Sequence, residues 1–154
     1  WLEANGEEPE YVAHIRPTSP LRDPKTIDAA VTAFAGNSKA TSLRSVHAMS
    51  ESAYKTFEIA EGGQLKRLGS ESTELDAAND ARQHFPETYC ANGYVDVLSA
   101  RFIRKSHKIH GDHVMPFITQ KIGEIDTERD FEEIEFALSL APQILTNIFG
   151  GDAR

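Results

Sequence analysis

The segment Ile15-Arg16-Pro17-Thr18-Ser19-Pro20-Leu21-Arg22 gathers two guanidinium groups and two hydroxyls within eight residues. Pro17 and Pro20 fix φ and withdraw two amide donors, so neither a strand nor a helix runs through it. The apolar run Tyr11-Val12-Ala13-His14-Ile15 before it reads as a buried strand, and Asp23-Pro24 after it opens a helical pattern. A stiff turn between strand and helix, at a strand's carboxyl end, is where open α/β sheets bind ligands. Arginines with hydroxyls there suit an anion. A rigid turn ahead of a capped helix accounts for the same residues.

A second chemical stretch is Glu124-Ile125-Asp126-Thr127-Glu128-Arg129-Asp130-Phe131. Alternation along an extended segment puts Glu124 and Asp126 on one side, just before a helix begins. Two such carboxylates can hold Mg²⁺, which takes oxygen ligands and keeps waters while bridging to phosphates. They can equally complement the dipole of the helix that follows. Between these stretches, Arg82 has the planar geometry to pair with a carboxylate or phosphate and Lys55 offers a point charge; both also read as surface charges. His107, His110 and His113 with Asp112 invite a zinc reading, against which Gly111 and its polar neighbours mark a loop. Cys90 has no identifiable base partner and reads as a small buried or loop residue.

The elements that must position these groups follow from hydrophobic periodicity. Trp1 to Glu10 reads as the acidic end of a helix cut from something longer. Asp23 caps a helix whose Ile27, Ala30, Val31 and Phe34 share one face, so it packs on a sheet. Ser42 to Met49 is the next strand, and the crossover is long enough for parallel pairing. Tyr54 to Ala60 and Gln64 to Leu68 flank a hairpin turn at Glu61-Gly62-Gly63, and Gly69 to Asp80 is an exposed loop. Gly93 to Leu98 is a strand, Ser99 caps a short helix to about Ser106, and Val114 to Thr119 is another strand. Thr127 caps the strongest helix, with Asp130 in the reciprocal position and Phe131, Ile134, Ala137 and Leu138 as its buried stripe. A last short helix spans Gln143 to Phe149. The class is α/β with a mixed sheet, in a single domain.

The 154 residues suffice for one domain with a substantial core. Net charge of -8 argues against a general nucleic-acid binder, which needs surplus Lys and Arg. One cysteine excludes an intrachain disulfide and fits a reducing cytoplasm. No stretch reads as a membrane span or a signal peptide.

Several strings together resemble the acylneuraminate cytidylyltransferase family, which activates sialic acid and related nine-carbon sugar acids. Arg16 to Arg22 is similar to its Q/R-P-T-S-P-L-R signature and Glu124 to Phe131 to its D-I-D-T-x-x-D-F motif. Arg82-Gln83-x-Phe85-Pro86 matches R-Q-x-x-P, Asn92-Gly93 matches an N-G at a strand start, and Lys55 falls where the family has a lysine. The resemblance spans about Tyr11 to Leu138. It implies a three-layer, nucleotide-diphospho-sugar-transferase-like (Rossmann-like) mixed sheet. It implies Glu124 and Asp126 as Mg²⁺ ligands, and Lys55 and Arg82 as catalytic groups handling the sugar carboxylate or the phosphates. Ser19, Arg22, Gln83, Asn92 and Gly93 would bind substrate, with Ser19 and Arg22 facing the nucleotide. The reaction would join CTP and the sugar acid into a CMP-sugar, releasing pyrophosphate.

This chain departs from the pattern in three places. Glu124 replaces an Asp. Cys90-Ala91 stands before Asn92 where the sialic-acid branch has Arg-Pro, and Asp96 stands at a tyrosine position, which looks more like members activating legionaminic or pseudaminic acids. The family's opening strand and basic Gly-rich loop, A-R-x-G-S-K-x-x-x-x-K-N, which cradles the CTP phosphates, has no match. The expectation is therefore the carboxyl-terminal two-thirds of such a fold, truncated at its amino end and inactive alone. It would form a homodimer or higher homo-oligomer, or take the missing loop from a separate amino-terminal chain. A non-catalytic binding or assembly domain derived from the same fold is the alternative.

Overall fold

The computed structural model describes residues 3–69 and 74–150, which form two compact units. The first comprises the chain up to Val46 and from Ala91 onward; the second runs from His47 to Cys90. Part of the expected loop from Gly69 to Asp80, and residues 1 and 2, lie outside the described residues.

The first unit is built on a four-stranded sheet in the order β1-β5-β2-β6, with strands β1 (Tyr11–His14), β2 (Ser42–Ala48), β5 (Tyr89–Ser99) and β6 (Val114–Ile118). β1 is antiparallel to β5, with His14 opposite Asp96, and β2 is parallel to β6, with Ser42 opposite Val114. This is the expected mixed α/β architecture. Two local expectations are corrected. β1 and the next strand in sequence, β2, are not neighbours: β5 lies between them. The reason is burial, since β5 is buried continuously from Asn92 to Leu98 and so takes an inner position. β1 consequently forms the edge, and Val12, Ala13, His14 and Ile15 are exposed rather than buried.

Helix α1 (Pro24–Ala35) starts where Asp23 accepts a hydrogen bond from Lys25 N at 2.9 Å, with Pro24 in the first turn. Its Ala30 and Phe34 join Leu43, Tyr94, Val95 and Val97 in the core, and Tyr11 meets Phe34 edge to face. Helix α2 (Ala100–Ser106) is capped by Ser99, whose Oγ accepts from Phe102 N at 3.2 Å. Helices α3 (Glu128–Leu140) and α4 (Gln143–Phe149) follow β6. The α3 cap is as expected, but its stripe is not buried: Phe131 is 50% exposed, Ala137 is exposed, and only Ile134 and Leu138 are partly covered. Periodicity marks an apolar face without stating that anything lies on it. At the amino end, Glu3–Asn5 is a single 3₁₀ turn, not the end of an α-helix.

The second unit contains the expected hairpin, strands β3 (Phe57–Ile59) and β4 (Leu65–Arg67), antiparallel with Glu58 opposite Lys66. Gly63 takes φ +79°, and its N–H closes the turn onto Ala60 O at 2.9 Å. The ends are shorter than the periodicity implies because Ala53–Lys55 winds into a 3₁₀ turn capped by Ser52. Cys90 is exposed within β5, neither buried nor in a loop. No helix among the described residues is long and apolar enough to cross a membrane.

Leu43 is fully buried at the centre of this core. Leu43→Ala is expected to cost about 2–5 kcal/mol. Phe136→Ala on the open face of α3 should stay within about 0.5 kcal/mol. Urea denaturation of both variants checks the contrast.

Candidate functional site

The turn after β1 is held by Arg22. Its guanidinium is buried and donates from Nε to Tyr94 O at 2.6 Å, from Nη2 to Gly93 O at 2.9 Å and from Nη1 to Ser19 O. Burial pushes this guanidinium below the usual arginine range, and nearby Glu124 opposes that shift. The same strand start is tied to α1, because Asp23 N donates to Tyr94 Oη at 2.7 Å. Ser19 is fully buried, and its Oγ has no hydrogen-bond partner among the described residues. Arg16 is half-buried and makes no side-chain hydrogen bond or ion pair among the described residues.

Gly93 sits against this turn with φ +63°, and a Cβ there would lie 3.2 Å from Arg16 Cδ. The backbone conformation favours glycine, and Arg16 would have to give by a few tenths of an ångström to admit a Cβ. Its neighbour Asn92 is also buried; its Nδ2 donates to Thr119 Oγ1 at 2.7 Å, and its Oδ1 accepts from Tyr94 N at 3.2 Å.

The acidic segment reaches the same place. Ile125 N donates to Thr18 O at 2.7 Å, and Thr18 Oγ1 lies 3.4 Å from Glu124 Oε1, a long hydrogen bond. Glu124 and Asp126 are exposed. Asp130 is committed elsewhere: its Oδ2 accepts from Thr127 N at 2.8 Å, Thr127 Oγ1 at 2.9 Å and Asp126 N at 3.1 Å. These bonds, the Thr127 hydroxyl first, hold its carboxyl below the ordinary carboxylate value.

Thus the first unit brings together Ser19, Arg22, Gly93 and Glu124, with Asn92 and Asp126 adjacent in sequence. Exposed carboxylates at Glu124 and Asp126 suit Mg²⁺, which needs only one or two protein carboxylates when waters and substrate phosphates complete its shell. Among the described residues, no three His, Cys, Asp or Glu side chains form a group able to hold a metal ion, and this includes the His107, His110, His113 and Asp112 cluster.

Lys55, Arg82 and Gln83 belong to the second unit. There Arg82 and Gln83 line a cleft of about 380 Å³ with Ser52, Phe85, Glu87 and Thr88. Arg82 Nη2 donates to Met49 O at 2.8 Å, Lys55 Nζ stands 5.9 Å from the Phe85 ring, and Tyr54 stacks on that ring.

Sequence reasoning missed two participants. Tyr94 ties the turn to α1 through its hydroxyl and to Arg22 through its carbonyl; its place two residues after Asn92 was the available signal. Asp96, read only as a specificity position, is a buried carboxylate between His14 Nδ1 at 3.8 Å and Arg44 Nε at 3.9 Å on the strands either side. Cross-strand spacing could have suggested it once the strand order was known. Compared with known proteins, the chain matches no protein-family model, and no curated protein matches it.

Two outcomes follow from this geometry. Arg22→Lys leaves one ammonium where a planar fork served three carbonyls, and should destabilise the fold by roughly 1–3 kcal/mol in chemical denaturation. Asp130 has a lowered folded pKa, so its contribution is present above the ordinary carboxylate value and is lost as pH falls through the lowered one. Asp130→Asn should therefore melt below wild type near neutral pH, and the gap should close on acidification below about pH 4. Melting curves across pH test this; a constant gap would contradict it.

Proposed function

We propose that the chain is the metal- and sugar-facing part of a cytidylyltransferase that activates a nonulosonic acid with CTP, releasing pyrophosphate. The observation that supports this most is the meeting of three motifs distant in sequence. The arginine-bearing turn, Asn92-Gly93 and the Glu124 segment converge at one end of the sheet through Arg22 to Gly93 and Tyr94, and Thr18 to Glu124 and Ile125. Anion-handling groups and carboxylates beside each other are what nucleotidyl transfer needs, since protein work there is positioning and charge neutralisation.

In this reading the fold is of the nucleotide-diphospho-sugar-transferase type. Glu124 and Asp126 hold Mg²⁺, which would neutralise phosphate charge when bound. Arg16 meets the nucleotide phosphates, because Arg22 and Asn92 are engaged by the protein's own carbonyls, hydroxyls and amides. Arg82, Gln83 and Lys55 supply the carboxylate-recognising cleft of the second unit. These 154 residues hold no basic Gly-rich loop, so turnover needs that phosphate cradle from outside them, and assembly is as a homo-oligomer in the cytoplasm.

A second reading is a non-catalytic binding or assembly domain derived from that fold. It is favoured by the same engagement of Arg22 and Asn92, together with the complete burial of Ser19. Pyrophosphate release from CTP with a panel of nine-carbon sugar acids separates the two. The chain alone should release none above buffer. Adding a separately made strand and Gly-rich loop segment should restore release, and Glu124→Gln should lower the restored rate by about 10²-fold or more. Failure of every such supplement to restore release would leave the binding-domain reading.

A further inference from the structure

We propose that the pocket at the amino-terminal ends of β2 and β6 binds a phosphate-type oxyanion. It is an open cavity of about 590 Å³ whose walls include Lys39, Lys108, His110 and His113, with Asp112 as the lining carboxylate. It lies away from the candidate site. Ser42 and Val114 open the paired strands here, while Val46 and Ile118 close them at the end where Thr119 meets Asn92.

The segment that carries these groups is fixed in place by four ties. His107 ends α2 in the left-handed region at φ 55°, its N–H bonded to Ile103 O at 2.8 Å. Gly111 fits closely under its neighbours, for a Cβ would lie 2.6 Å from Phe102 Cζ and 2.8 Å from Thr41 Oγ1. His113 O accepts from Thr41 N at 2.9 Å and Thr41 Oγ1 at 3.1 Å. The fully buried Ser42 places its Oγ 2.9 Å from His110 Nδ1 and so orients the imidazole. The other ring nitrogen, Nε2, makes no hydrogen bond among the described residues.

Two ammonium groups face a single lining carboxylate, Asp112. None of Lys39, Lys108, His110 and His113 takes part in an ion pair among the described residues. In a chain of net charge -8, two free ammonium groups and two imidazoles in one pocket form a local reversal of sign. Solvated surface lysines alone would not require a loop built this way. A tetrahedral oxyanion matches the set because ammonium and imidazole N–H groups are charge-assisted donors to it, and the His110 ring, already held by Ser42, loses less freedom on binding than an untethered side chain. The ligand class is therefore a phosphate or phosphate ester.

The test uses the full chain with inorganic phosphate and, separately, pyrophosphate, at ionic strength matched with chloride, read by backbone amide NMR shifts. Saturable shifts confined to Lys39, Thr41 and Lys108 to His113 are expected. Affinity should fall by about tenfold or more in Lys39→Glu/Lys108→Glu. It should persist in Arg101→Glu, an equally exposed charge reversal on α2 outside this pocket. Thermal melts confirm that the variants fold. Non-saturating shifts, shifts centred on Arg16 to Arg22, or equal affinity in the double variant would each overturn the proposal.

Discussion

A buried guanidinium organises the first unit. A charge taken out of water is costly unless it finds hydrogen-bond partners, and each of the three Arg22 nitrogens donates to a carbonyl, the three carbonyls coming from two segments far apart in sequence. One of those carbonyls lies within its own turn; the others open the buried stretch of β5. The bond set therefore determines where the turn stands relative to the inner strand. Gly93 then has to take a positive φ beneath Arg16, and Tyr94 has to present its hydroxyl to the start of α1. The consequences reach the acidic segment too, since Thr18 holds Ile125 through its carbonyl and Glu124 through its hydroxyl.

This dependence changes how the arginines of the turn divide the labour. Arg22 is the structural member of the pair, its planar fork matched to a set of fixed carbonyls. Arg16, beside Gly93, makes no side-chain hydrogen bond or ion pair among the described residues. Under the proposed function, such a site keeps its positioning groups buried and its reactive groups solvated; the exposures divide that way, with Arg22, Asn92 and Ser19 inside and Glu124 and Asp126 outside.

Local elements were readable from the chain wherever a side chain satisfies backbone groups nearby. Asp23 before Pro24, Ser99 before α2 and the Thr127–Asp130 box all stand where their residue types announce them, because capping is decided within four residues. The place of β5 between β1 and β2 was not readable, since strand order depends on competition among apolar surfaces across the whole unit. The exposure of Phe131 on α3 was not readable for a related reason. A helical period records which face is apolar, and only the tertiary arrangement decides what covers it. The candidate residues were legible as types, Arg, Ser, Asn, Glu and Asp, but their use was not. Whether a guanidinium meets a ligand or a carbonyl is settled by distances between segments seventy residues apart.

The exposed edge of β1 follows from the same competition. With β5 drawn inward, the outer backbone groups of Tyr11–His14 have no neighbouring strand among the described residues, and Val12 and Ile15 remain exposed beside them. Glu10 O accepts from Ala100 N, so alternate residues point their polar groups at β5 and the intervening Tyr11, Ala13 and Ile15 point theirs away. Unpaired edge groups next to apolar side chains favour the addition of another strand. Direction matters there, because only a strand parallel to β1 would deliver its own carboxyl-terminal loop beside Arg16 and Glu124. An antiparallel one would place that loop beside Glu10, where the turn's free arginine cannot take part. The edge and the turn are thus two readings of one constraint: under the proposed function, the position that β5 takes to bury its apolar run also decides on which side of Arg16 a phosphate-binding loop would stand.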